Sequence, residues 1–284
     1  MKSSTTVRTI AAFAVAVGLT ATITVPAQAK GGATGGYETI VGFSNLPSGT
    51  GTFGSVTFGR TGDSMYIGDW DGDGADSLAA RRGNTYYLQP QAEAAYTDRA
   101  VSYGKTTDET YVGDWDGDGV ATLAVRRGNT FHFTDRWEGG AADRSSSYGR
   151  VGDRIYVGDW DGDGKDTLAI SRYSVFHITN DLSTGRTSQL VLLGDRFTTP
   201  LVAVGDWDGD GSDTLGFRYV TIPPRGYSFS EWALFDDFAF RKPAGGSDQY
   251  GLQFRYGPGR GAAFAGDWDG DGKDTLGGRG GGSF

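Results

Sequence analysis

The sequence predicts an all-β protein, a β-propeller of four-stranded antiparallel blades. Two observations carry that expectation. The heptapeptide GDWDGDG occurs five times, beginning at Gly68, Gly113, Gly158, Gly205 and Gly266. Its flanks recur with it: the first Asp of each copy (Asp69, Asp114, Asp159, Asp206, Asp267) follows the last by 45, 45, 47 and 61 positions. Repeats of roughly forty to fifty residues that hold four short strands are the sequence sign of propeller blades. A linear β-solenoid is the competing architecture.

Each repeat reads in the same order. A short apolar run (MYIGDW, TYVGDW) ends at Gly-Asp and enters the acidic loop. A Leu-led run (SLAARR, TLAVRR) follows. Gly83-Asn84 and Gly128-Asn129 then mark hairpin turns, because Gly and Asn tolerate positive φ. Third runs such as TYYL and TFHF are rich in aromatic and β-branched residues, as strands are. AVSYG is a fourth run. The chain stops as its fifth repeat would start a third strand, and residues 36–43 and 54–60 can supply the two missing strands. The sequence therefore predicts five blades, the last stitched from both termini, which would hide the sheet edges at the join. An incomplete ring that needs a partner is the alternative.

Residues 1–29 read as a secretory signal peptide: Lys2 and Arg8, an uncharged apolar stretch from Thr9 to Val25, then Ala27-Gln28-Ala29 as a small-residue cleavage site. An uncleaved anchor is the other reading of that stretch, which is short for a span. Residues 30–284 are then one secreted, extracellular domain with no membrane span after cleavage, expected to be monomeric. The chain has no cysteine, so stapling must come from something other than disulfides, and metals are the usual substitute.

The charge is localised. Nineteen of the 35 acidic residues lie in five windows, 68–77, 113–122, 158–167, 205–214 and 266–275, and without them the chain would be basic. A net charge of −9 argues against a nucleic-acid partner. Numbering each loop from its first Asp, positions 1, 3 and 5 are carboxylates: Asp69, Asp71, Asp73; Asp114, Asp116, Asp118; Asp159, Asp161, Asp163; Asp206, Asp208, Asp210; and Asp267, Asp269, Asp271. Glycines at positions 4 and 6 let the backbone bend. The carbonyl at position 7 (Ala75, Val120, Lys165, Ser212, Lys273) can then point inward. Such an all-oxygen, highly charged set suits a hard cation, Ca²⁺ first and Mg²⁺ second, up to one per repeat. The other reading is a set of Asp- and Gly-rich turns. The loop is not an EF-hand, which needs a Glu at position 12; here that position holds Ala80, Val125, Ile170, Phe217 and Gly278.

The repeat resembles the FG-GAP, or VCBS-type, repeats of integrin α-subunits and bacterial secreted proteins. The likeness rests on Phe58-Gly59, Tyr103-Gly104 and Tyr148-Gly149, followed by Gly-Asp, D-x-D-G-D-G and a Leu-led strand. It implies a propeller that holds Ca²⁺ between strands one and two of each blade. The pattern departs from the family at the last carboxylate. The family has it at position 9, where this chain has Ser77, Thr122, Thr167, Thr214 and Thr275. Acid stands at position 8 instead, as Asp76, Asp166, Asp213 and Asp274, with Ala121 in the second repeat. The last ligand is thus position 8 or position 9, and the second site should be the weakest.

The loop tryptophans (Trp70, Trp115, Trp160, Trp207, Trp268) are expected to pack between blades rather than to stack on a ligand. His132 and His177 occupy one repeat position twice and so are not a catalytic pair. The recurring Arg81, Arg126, Arg218 and Arg279 read as framework. The fourth repeat is about sixteen residues longer than its neighbours and crowds Tyr227, Glu231, Trp232, Asp236 and Asp237, a candidate site for a sugar ring or a protein partner. The function expected is a non-enzymatic binding or adhesion module for carbohydrate or a cell-surface partner. The alternative is a propeller-fold polysaccharide hydrolase or lyase, for which Glu231 with Asp236 or Asp237 is the candidate acid cluster. A purely structural role is a third reading.

Overall fold

The structure, a computed structural model, describes residues 34–35, 39–43, 54–60, 62–89, 97, 99–173, 175–192, 201–221, 229–235, 253–258 and 262–279. Every helix or strand among them is a strand. The N-terminal part gives β1 (Thr34–Gly35), β2 (Thr39–Phe43) and β3 (Gly54–Phe58). Blade 1 holds β4 (Ser64–Gly68), β5 (Ser77–Arg82), β6 (Thr85–Leu88) and β7 (Arg99–Ser102). Blade 2 holds β8 (Glu109–Gly113), β9 (Thr122–Arg127), β10 (Thr130–Phe133) and β11 (Arg144–Ser147). Blade 3 holds β12 (Arg154–Gly158), β13 (Thr167–Arg172), β14 (Val175–Thr179) and β15 (Gln189–Leu192). Blade 4 holds β16 (Leu201–Gly205), β17 (Thr214–Thr221), β18 (Phe229–Leu234) and β19 (Gln253–Pro258). The last repeat gives β20 (Ala262–Gly266) and β21 (Thr275–Arg279).

These strands make five antiparallel sheets, and the fifth has the order β20-β21-β2-β3. Arg279 on β21 lies opposite Val41 on β2, so the two ends of the chain close one blade, as the sequence implied. One strand was not anticipated. β1 adds to the free edge of β4 through Thr34↔Met65 and Gly35↔Ser64, and a two-residue bridge leaves no periodic signal.

Burial follows position in the blade. The first strand β8 and the second strand β9 are buried almost throughout (eBBBB and BBBBBe). Both faces of these inner strands meet neighbouring blades. The third strands β6 and β10 alternate (iBiB), as a strand with one wet face should. The cores lie between the blades. Tyr66, Trp70 and Tyr86 of blade 1 pack with Val112, Leu123 and Trp137 of blade 2. Phe58 of blade 5 and Ile67 of blade 1 share a cluster with Phe264 and Trp268, which closes the ring.

Charged pairs fix the ends of blades 1, 2 and 3 away from the acidic loops. Arg127 grips both oxygens of buried Asp108 at 2.7–3.0 Å. Asp63 with Arg82 and Asp153 with Arg172 repeat that pair in blades 1 and 3. Arg81 reaches the Asp108 and Lys105 carbonyls of blade 2 at 2.8 and 2.9 Å. Arg126 reaches the Asp153 and Arg150 carbonyls of blade 3 at 3.1 and 2.7 Å. Those two arginines are framework, as their recurrence suggested.

The turn between second and third strands shows one local conflict. Gly83 and Gly128 sit there at φ 64° and 67°, whereas blade 3 places Tyr173 at φ 57° with its ring 97% exposed. A left-handed Tyr costs about 1–2 kcal/mol of backbone strain, which Asn tolerates better. Tyr173→Asn should therefore raise the urea-unfolding free energy by roughly 0.5 kcal/mol; a loss of stability would show that the ring is needed where it stands.

The Asp108 pair sets an acid limit. Arg127 and the Lys105 amide hold the Asp108 carboxyl below the usual range despite its burial. A depressed folded pKa gives stability that is complete above the ordinary carboxylate range and is lost as pH falls through and below it. Asp108→Asn should cost about 2 kcal/mol near neutral pH. Its melting temperature should also fall less between pH 6 and pH 3 than that of the unsubstituted protein, and parallel acid profiles would refute the assignment.

Candidate metal centre

Five copies of one loop surround the propeller axis. Each begins where the first strand of a blade ends and finishes where the second begins. The glycines at positions 4 and 6 take φ between 70° and 91° in all five, so the Gly-Asp-Gly spacing is a backbone requirement. In the first loop Gly72 and Gly74 donate their N–H groups to Asp69 Oδ1 and Oδ2, both at 2.8 Å. Ala75 N–H donates to Asp73 Oδ1 at 2.9 Å. The other loops repeat these bonds around Asp114, Asp159, Asp206 and Asp267. The position-7 peptides of Val120, Lys165, Ser212 and Lys273 are tied to position 5 in the same way.

This folding draws the carboxylates at positions 1, 3 and 5 together. In every loop one oxygen from each of the three lies within 4.8 Å of the others. Three oxygens that close together need at most a small inward movement to sit about 2.3–2.6 Å from one hard cation. The donor set fits such an ion: three carboxylates with lone pairs beyond those the amides occupy. The electrostatics favour one too. Asp71 and Asp269 are held above the usual carboxyl range by desolvation and then by repulsion from their two loop partners. Asp114 and Asp159 are raised by burial, against the pull of their amide donors.

The position-8 residues lie elsewhere. Asp76, Asp166, Asp213 and Asp274 are 2–6% exposed and outside the converging triads. Each reaches the preceding loop of the ring. Asp166 N–H donates to the Asp114 carbonyl at 2.7 Å, and Asp114 N–H donates back to Asp166 Oδ2 at 2.8 Å. The same reciprocal pair joins Asp213 to Asp159, Asp274 to Asp206, and Asp76 to Asp267. The glycine before each loop makes room for it. A Cβ on Gly113, Gly158 or Gly205 would meet the neighbouring Asp Cβ at 2.8–3.0 Å. The loops together line an axial cavity of about 300 Å³.

Other site residues fall as follows. The five loop tryptophans are 3–7% exposed, and Trp70, Trp115, Trp160 and Trp268 belong to the clusters between blades. His132 lies opposite Ser145, with its Nδ1 2.8 Å from Ser145 Oγ, whereas His177 lies opposite Leu190 in another sheet. The structure does not bring them together. Glu231 and Trp232 lie on β18 opposite Tyr219 and Arg218. Tyr227, Asp236, Asp237 and residues 1–29 lie outside the described residues.

Sequence reading missed two contacts. Asn180 Nδ2 donates to Asp161 Oδ2 at 2.6 Å, which steadies the third triad. Trp137 donates its indole N–H to the Ala121 carbonyl at 2.8 Å and meets Trp70 edge-on at 5.4 Å. The register of Thr134-Asp135 with Thr179-Asn180 was the available signal for the first. The second comes from the same connection, whose Thr134 and Arg136 bonds recur at Thr179 and Asp181 and where blade 3 has Leu182 in place of Trp137.

Asp166→Ala should cost roughly 1–3 kcal/mol by urea unfolding, because it leaves the part-buried Asp114 amide without its acceptor. Gly158→Ala should cost a similar amount, roughly 1–3 kcal/mol, by forcing two blades apart. Neutral behaviour of both would mean that the junction relaxes freely.

No family model, no curated protein and no solved structure matches the chain.

Proposed function

We propose that this chain is a secreted Ca²⁺-binding propeller, built from repeats of the FG-GAP or VCBS kind, that works as a non-enzymatic binding module. The observation that carries the reading is the convergence of three carboxylates in each of five equivalent loops. A hard divalent cation in such a loop supplies charge neutralisation and cross-links the loop's carboxylates. Positions 1, 3 and 5 hold it, with the position-7 carbonyl as the proposed fourth donor. The position-8 carboxylates stand at the blade junctions, and at position 9 the buried Ser77 and Thr214 hydroxyls donate to the Gln89 and Phe235 carbonyls of their own blades, which leaves water to complete the shell.

The role proposed is adhesion, with a glycan or a cell-surface protein as the partner. A ring of blades supports this reading because it can present long connections from one scaffold. The longest repeat is the fourth, and its sequence holds Tyr227, Glu231, Trp232, Asp236 and Asp237, aromatic and acidic residue types of the kind that bind sugars.

Two experiments test the proposal on the chain from residue 30. Calorimetric titration of EDTA-stripped protein with Ca²⁺ should give a stoichiometry near five, and the melting temperature should rise with the ion. Each occupied site stabilises by about 2.7 kcal/mol at a hundredfold excess over Kd. Asp161→Asn should remove or weaken one site. Absence of both heat and shift would reduce the loops to turns. A glycan array should then show a ligand whose binding falls at least tenfold in Trp232→Ala. Polysaccharide turnover that disappears in Glu231→Gln would instead establish the enzymatic reading.

A further inference from the structure

The five junctions between consecutive loops are not equal. Four carry the full reciprocal lock, in which the position-1 amide of one blade is bonded by the position-8 carboxylate of the next. Followed round the ring, the locks run from blade 2 through blades 3, 4 and 5 to blade 1. Between blades 1 and 2 only half of the lock is present. Ala121 N–H donates to the Asp69 carbonyl at 2.6 Å, but Ala121 has no carboxylate to receive the Asp69 amide. We propose that the junction of blades 1 and 2 is the seam at which the ring opens, and that it opens at the loop end.

The geometry supports the direction as well as the place. A Cβ on Gly68 would meet Ala121 Cβ at 2.8 Å, so blade 2 approaches blade 1 as closely as its counterparts approach theirs. The missing lock is therefore a loss of chemistry and not of proximity. What replaces it is aromatic. Trp137 lies edge-on against Trp70, and its indole bond returns to Ala121 of its own blade. An edge contact between rings tolerates sliding, whereas a carboxylate–amide bond is directional and charge-assisted. At the opposite end Arg81 remains bonded to the Asp108 and Lys105 carbonyls of blade 2. The junction is thus pinned at one end and lightly held at the other, which is the arrangement of a hinge. The seam lies one blade away from the blade that joins the two chain termini.

The inference concerns hydrogen bonds between blades, so it is tested in metal-free protein and does not depend on the proposed ions. Native-state hydrogen exchange on the chain from residue 30, in EDTA, should show the Asp69 amide exchanging roughly tenfold or more faster than the Asp114, Asp159, Asp206 and Asp267 amides. Ala121→Asp should slow the Asp69 amide to the rate of the other four and raise the melting temperature. Asp213→Ala should make the Asp159 amide as fast as Asp69 and create a second seam. Equal rates at all five amides in the unsubstituted protein would overturn the proposal. So would a folded Ala121→Asp variant whose Asp69 exchange is unchanged. Should Ala121→Asp fail to fold, the comparison within the unsubstituted protein still decides.

Discussion

The structure depends on the reciprocal bond between position 1 of one loop and position 8 of the next. Each acidic loop is an independent tight turn, built by its own glycines and by amides that converge on its first carboxylate. Nothing within a loop fixes it to its neighbour. The inter-blade pair does so, and it closes a cycle: Asp76 of blade 1 bonds Asp267 of blade 5 through both backbone and side chain. Ring closure is therefore written twice, once by strand pairing between β2 and β21 and once at the axis.

Placing these aspartates at the axis has a cost that the fold offsets locally. Buried carboxylates are expensive unless hydrogen-bonded. Each one therefore receives an amide from the preceding blade, and the approach is close enough that only glycine fits before the loop. The same glycine–aspartate dipeptide thus serves two purposes. Its glycine admits the neighbour, and its aspartate organises the turn. The far end of the ring uses a different chemistry, in which Arg81 and Arg126 bond turn carbonyls of the following blade. Two layers of polar contacts bracket the aromatic cores between them.

This arrangement places the triads and the junctions in one covalent unit. The position-1 residue contributes its side chain to the triad and its backbone to the lock. An ion held by the triad would restrain the same backbone that the neighbouring blade grips. Loops that look like separate sites are in this sense one connected rim, interrupted at Ala121.

The repeat period, the four runs per repeat and the unfinished fifth repeat were enough to determine the propeller and the stitching of its last blade. Glycine and aspartate spacing alone also placed the triads, because a turn of ten residues closes on itself whatever surrounds it. The role of position 8 was not legible. A carboxylate three residues beyond the last Asp of a triad reads as a ligand in sequence, and only the packing of one blade on another shows that it faces the preceding loop. The same holds for β1 on β4 and for Trp137 against Trp70, which join residues far apart in the chain, and for Asn180 on Asp161, which meet only when the strands of blade 3 pair. Sequence settled what is local and periodic, and tertiary structure decided which of two neighbours each side chain serves.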